Sequence, residues 1–342
     1  MGSAHLAGQC LAAVSAAAPV EVVDSSWDAA LEGRFAHVLA EVPPSCLAPS
    51  RLIGDDMRPG APPRTPVWIR LTLALHETWS GASASPEDPA LLDLVWGQYS
   101  LFLWVRLQDD LLDRHFRDLR LQFVANRFLL EGLAALERVP GLGPAFRAAC
   151  RARLLETTGA ILDVERLQSL LGEFTAAHLP LHAQVAALFT VGPEAVCHRL
   201  KHRADLPWVR ELQAQIAISS QIVDDLEDLL PDLDQGRYTF VANVLAGPLG
   251  GGPVDAAVMS RRVTDGIMVP SRCCPIWHVL AAAAAIAEAA LPDHAPPLTR
   301  ELATDLTRMP AMLAEQLHRA RVRALFGAQL EARAEIAAMS GG

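Results

Sequence analysis

Residues 215–240 read QIAISSQIVDDLEDLLPDLDQGRYTF, and the fold is decided in this stretch. It begins apolar, with Ile216, Ile218, Ile222 and Val223, and turns abruptly acidic. On a helix, Asp224 and Asp228 share a face one turn apart, Asp225 stands beside them, and Gln221 lies one turn upstream on the same side. Asp232 and Asp234 follow Pro231, and Gly236-Arg237-Tyr238-Thr239 closes the segment. Aspartate is a poor helix-interior residue, and like charges at four-residue spacing repel. Such a cluster at the end of an apolar helix needs an opposite charge brought to it.

A second stretch repeats the pattern. Residues 101–116 read LFLWVRLQDDLLDRHF, with Leu101, Phe102, Leu103, Trp104, Val105 and Leu107 preceding Asp109, Asp110 and Asp113. Either cluster alone reads most simply as a solvated acidic helix face. Two copies, each following an apolar helical run, point instead to clusters that meet across a bundle interior. Six carboxylates so placed suit Mg²⁺, a hard cation that takes oxygen ligands, keeps several waters and bridges to substrate phosphate. Other chemistries find no motif: there is no histidine pair at zinc-protease spacing, no GxxxxGK[ST] and no GxSxG. The glycines at 250–252 follow no strand and make a poor phosphate cradle.

The rest of the chain sets the frame. It has 342 residues, 51% of them apolar, and a net charge of −10. The apolar fraction supports a sizeable core, and the charge argues against a nucleic-acid partner. Lys201 is the only lysine against a strong arginine bias. Helical apolar spacing recurs at about 27–41, 67–80, 88–113, 116–138, 143–170, 173–190, 193–203, 206–230, 254–266, 275–291 and 298–337. Breaks are expected at Gly81–Pro86, Pro140–Pro144, Pro180, Gly192-Pro193 and Pro231. β-branched alternation is almost absent. The expected fold is all-α, with residues 1–25 as a loosely ordered leader and 26–342 as a single domain. The six cysteines are scattered without metal-ligand spacing, and vicinal Cys273-Cys274 reads as packing. With no basic, leucine-rich signal peptide, no myristoylation site and no apolar run of membrane-spanning length, a cytoplasmic protein without a transmembrane segment is expected.

The two clusters resemble those of the class I isoprenoid synthases, more closely the trans-prenyl diphosphate synthases than the terpene cyclases. Residues 221–228 with Gly236-Arg237-Tyr238-Thr239 are similar to the family's second aspartate-rich motif and its continuation, Arg237 standing where the family has a diphosphate-binding lysine. Residues 109–113 are similar to the family's first DDxxD. The resemblance implies a helical bundle with a central apolar cavity, three Mg²⁺ ions holding a prenyl diphosphate substrate, and a homodimer. It implies metal ligation by Asp109, Asp113, Asp224 and Asp228, with Asp110 and Asp225 in the catalytic set. Arg237, Arg64, Arg117 and Gln221 are the expected diphosphate-binding residues, and Phe102, Trp104, Val105, Phe189 and Phe240 the expected pocket wall.

The chain also departs from the family. Where Gly-Gly-Lys-x-x-Arg-Pro is expected it has Gly60-Ala61-Pro62-Pro63-Arg64-Thr65-Pro66. Asp118-Leu119-Arg120 stands where Arg-Arg-Gly would follow the first motif, Phe102 replaces a histidine, and Gln184-Val185 replaces Lys-Thr. A second diphosphate, that of isopentenyl diphosphate, thus meets a depleted basic set. The terpene-cyclase pattern is imperfect as well: Asp228 and Asp232 stand where Ser/Thr and Glu are expected, and Arg319, Arg321 and Arg323 come without a tyrosine. The leading expectation is a Mg²⁺-dependent terpene synthase, a lyase that ionises one linear prenyl diphosphate, roughly C10–C20 if bulky Trp104 floors the pocket. The alternative is a short-chain trans-prenyl diphosphate synthase, a transferase, using Arg64, Arg114 and Arg117 for isopentenyl diphosphate. A catalytically silent partner subunit of a prenyl synthase is the second alternative.

Overall fold

Helix boundaries follow the apolar period and the prolines. The computed structural model describes residues 25–46, 66–112, 118–248 and 255–315. The expected leader, Asp113, Arg64, Arg114, Arg117 and Arg319–Arg323 lie outside them. In chain order the helices are α1 (Ser25–Ala40), α2 (Val67–Ser80), α3 (Pro89–Leu112), α4 (Leu121–Arg138), α5 (Pro144–Gln168) and α6 (Pro180–Ala186). They continue with α7 (Val191–Arg199), α8 (Leu206–Glu227), α9 (Leu229–Asp234), α10 (Phe240–Ala246), α11 (Ala256–Ile267) and α12 (Pro270–Ala290), then α13 over 297–315. Single turns of 3₁₀ helix occur at Ala176–His178 and Arg203–Asp205. No strand occurs among the described residues, so the fold is all-α.

Several prolines start helices rather than merely ending them. Pro144, Pro180, Pro207 and Pro270 each fall in the first two positions of a helix, where a missing N–H costs nothing. For the same reason Gly192-Pro193, expected as a break, lies in the first turn of α7. The expected helix 173–190 is divided instead into a 3₁₀ turn, α6 and a further turn.

Buried side chains from Trp27 to Leu313 form one apolar cluster. The antiparallel pair α3–α4 runs through it, with Asp93 facing Arg138 at one level and Gly97 facing Gly132 at the next. A buried carboxylate ties α5, α7 and α8 together: Glu194 pairs with Arg153, and with Arg210 at 2.9 Å. Deleting one partner of such a cluster costs on the order of 3–5 kcal/mol, because the remaining charge stays buried. Of these three, α5 and α8 carry much of the site described next.

One expectation is corrected here. Helix α12 is long and apolar enough to cross a membrane by length and composition, whereas no such run was expected. Alanine supplies the apolarity that an eye for leucine-rich runs passes over. In this fold Cys273, Ile276, Leu280, Ala283, Ala284 and Ala287 form a buried stripe at helical spacing, packed towards α8, α10 and α11. Vicinal Cys273 and Cys274 diverge, the first buried and the second exposed.

Candidate active site

The two acidic clusters converge. The C-terminal turns of α3 bring Arg106, Asp109 and Leu112 to a cleft whose other walls are α5, α6, α8 and α9. Helix α8 contributes Gln221, Asp224 and Asp225, Asp228 follows it, and Asp232 comes from α9. The turn after α9 supplies Arg237. Helix α5 adds Ile161, Val164, Glu165 and Gln168, and α6 adds His182 and Val185.

Local folding places each group. Helix α8 is amphipathic, so burying Ile218, Ile222 and Val223 carries Asp225 inward beside them, at 2% exposure. Gln221, one turn earlier, donates from Nε2 to Asp225 Oδ1 at 3.0 Å and to Asp224 Oδ2 at 3.4 Å. Gly236 takes the left-handed backbone (φ 75°) that reverses the chain, and the Arg237 N–H then donates back to the Asp232 carbonyl at 2.8 Å. Arg237 Nη1 lies 3.5 Å from Asp232 Oδ1, and its Nη2 donates to Gln168 Oε1 at 2.8 Å. The Gln168 carbonyl also accepts from the Tyr238 N–H at 2.7 Å. Thr239 then caps α10, its Oγ1 accepting from the Ala242 N–H. The Gly-Arg-Tyr-Thr segment is thus pinned from both sides.

The electrostatics follow from burial and crowding. Burial pushes the Asp224 carboxyl up to about 6; the charges of Asp228 and Asp109 raise it further, while Arg106 and Arg237 oppose them. Burial likewise raises Asp225 to about 8, with Asp232 and Asp224 adding to the shift and Gln221 and Arg237 opposing it. That Asp109 on α3 is felt at Asp224 on α8 means the clusters act on each other through space. His182 is buried and stacked on Phe174 with ring centroids 5.3 Å apart, and burial lowers it to about 4, so it is neutral at pH 7.

The carboxylates fit a divalent cation by donor chemistry. Asp225 Oδ2 and Asp228 Oδ1 are buried oxygens without a hydrogen-bond partner, and they belong to the only kind of ligand that hard cations prefer. Among the described residues no three such groups stand close enough to hold an ion by protein ligands alone. A cation here would keep waters and share its coordination with a phosphate, which is how Mg²⁺ is usually held.

The expected pocket wall lies apart from the acidic cleft. Phe102, Phe189 and Trp68 form a triangle with centroids 4.9–5.6 Å apart, while Trp104, Val105 and Phe240 are buried in the core. None of the five expected residues lines the cleft, whose own lining is mostly polar. Arg106, Gln168 and His182 were missed by sequence reasoning. Arg106 had a usable signal, because it precedes Asp109 and Asp110 by three and four residues on the same helix.

No family model matches the chain, and no curated protein matches it. Solved structures do. A polyprenyl synthase from Roseobacter denitrificans superposes with a TM-score of 0.53 at 20% identity, covering 82% of this chain and 99% of that one. A decaprenyl diphosphate synthase from Rhodobacter capsulatus gives 0.53 at 18% identity, covering 90% and 99%. The chain therefore shares the all-α fold of these two synthases.

Proposed function

We propose that this chain is a class I isoprenoid synthase that binds an allylic prenyl diphosphate at the acidic cleft and ionises it. The observation that carries this reading is the convergence of Asp109 with Asp224, Asp225, Asp228 and Arg237 on one cleft. Asp109, Asp224 and Asp228 would hold Mg²⁺, which supplies charge stabilisation to the departing diphosphate when bound. Arg237, held by Gln168 and Asp232, would bind a diphosphate oxygen. Phe102 precedes Asp109 by about two turns of α3, so the Trp68–Phe102–Phe189 triangle stands roughly 10 Å along the helix from the cleft. Aromatic faces at that distance suit an isoprenoid cation, which needs π electrons and exclusion of water.

Two fates are open to the cation. Addition of isopentenyl diphosphate is the favoured one, supported by the shared fold with a polyprenyl synthase and a decaprenyl diphosphate synthase. Cyclisation without a second substrate, the expectation from sequence, retains one supporting observation. Val185 lines the cleft where the family carries the threonine of its Lys-Thr pair, and Gln184 stands in place of the lysine.

The test is incubation with Mg²⁺ and geranyl, farnesyl or geranylgeranyl diphosphate, with and without isopentenyl diphosphate. Pyrophosphate release, hydrocarbon extracts and phosphatase-treated products are each followed. A longer prenyl alcohol that requires isopentenyl diphosphate supports elongation; a terpene formed without it supports cyclisation. No release from any substrate overturns the enzymatic reading and leaves the silent partner subunit.

A further inference from the structure

Among the described residues, Arg106 is the one cation that α3 brings to the cleft, and neither aspartate motif accounts for it. Its Nη1 lies 3.7 Å from Asp109 Oδ2 and its Nη2 3.5 Å from Asp110 Oδ1, so one guanidinium forks across both carboxylates. Asp110 is buried, whereas Asp109 and Arg106 keep partial access to solvent. Across the cleft the positive charge of Arg106 also acts on Asp224 of the other cluster. Arg106 thus sits among the carboxylates that a divalent cation would need.

We propose that Arg106 is a built-in counter-ion with two positions: on Asp109 and Asp110 before substrate binds, and on a diphosphate oxygen once divalent ions occupy Asp109. This rests on the diphosphate-binding reading above. The physical reason is charge balance. A cleft of crowded aspartates is unstable without positive charge, and a resident guanidinium supplies it. Divalent ions compete for the same oxygens, and the displaced fork is matched in shape to a phosphate. Ions and diphosphate would then enter together, because ions alone must evict the guanidinium and gain nothing from its new contact.

The experiment is isothermal titration of the whole chain with MgCl₂ alone, and with inorganic pyrophosphate in saturating Mg²⁺, for wild type, Arg106→Gln and Arg106→Lys. Arg106→Gln is expected to bind Mg²⁺ alone several-fold more tightly and pyrophosphate about tenfold more weakly, the weight of a charge-assisted hydrogen bond. Arg106→Lys keeps the charge without the fork, so its Mg²⁺ affinity should stay near wild type while its pyrophosphate affinity falls. A purely packing role moves neither affinity, or lowers both, and either result overturns the proposal. If wild type binds pyrophosphate and the variants bind it equally, only this proposal fails. If wild type binds none in Mg²⁺, the proposed function falls and takes this one with it.

Discussion

Gly97 of α3 and Gly132 of α4 lie backbone to backbone: a Cβ on Gly132 would stand 3.0 Å from the Gly97 carbonyl oxygen, and one on Gly97 would stand 3.1 Å from that of Gly132. Leu101 and Leu136 close over the crossing, within 3.1 Å of the added atoms. Any side chain forces the helices apart, and overpacking of this kind costs about 1–3 kcal/mol. Gly97→Ala and Gly132→Ala should each lower the denaturation midpoint in urea accordingly. Because α3 also carries Asp109, its displacement should weaken Mg²⁺-dependent turnover; wild-type stability in both variants would refute the close approach.

The acidic cleft makes stability depend on pH in a definite direction. With Asp225 raised to about 8 and Asp224 to about 6, the native state keeps protons that the unfolded chain releases near pH 4. Stability from these groups is full below pH 4 and is lost as pH rises through about 8. His182 works the other way, its contribution being lost as pH falls from 6.5 towards about 4. The window from pH 6.5 to 8 therefore isolates Asp225 among the three. Metal-free protein should melt at a lower temperature at pH 8 than at pH 6.5, Mg²⁺ should reduce the difference, and Asp225→Asn should flatten it. A flat wild-type profile in calorimetry would show that Asp225 is not protonated in the native state.

Gln168 holds Arg237 through its side chain and Tyr238 through its backbone. Gln168→Ala removes only the first of these. The guanidinium then loses a partner that orients it, and KM for the prenyl diphosphate should rise by roughly tenfold, the weight of one hydrogen bond to a charged group. Arg237→Gln should cost more, with the helical circular dichroism signal kept in both. Steady-state kinetics that leave KM unchanged in Gln168→Ala would mean Arg237 does not meet the substrate.

Trp104 lies five residues before Asp109 on α3, about 7.5 Å down the helix axis. It is buried, and its indole N–H finds no acceptor. If this ring stops the isoprenoid tail, Trp104→Ala should lengthen the accepted substrate or the product, at a stability cost of roughly 3–5 kcal/mol. Product analysis by chain length checks it, and an unaltered profile in folded protein would remove Trp104 from the pocket floor.

Much of this was legible in the chain itself. The long helices α3, α4, α5 and α8 declare themselves by apolar period, and the acidic runs at their ends mark the site. Short elements did not: α9 and α10 are too brief for periodicity, and what fixes them is a turn at Gly236 and a cap at Thr239. Gln168 was hidden because its partner Arg237 is 69 residues away, and no local pattern encodes such a meeting. The aromatic residues were recognisable by type but not by position, since helical spacing gives a face and not the neighbour it packs against. Phe240 illustrates this, being fixed by the capped start of a helix that the sequence pattern does not mark.

Crowding six carboxylates in one cleft also shapes how this protein can be improved. Neutralising Asp224 or Asp225 relieves repulsion and burial cost together, so a screen for heat resistance alone will reward the loss of those side chains. Stabilised variants chosen without an activity filter will drift towards silent scaffolds. Engineering should work at places remote from the cleft, such as the solvent face of α12, and carry a pyrophosphate readout at every round.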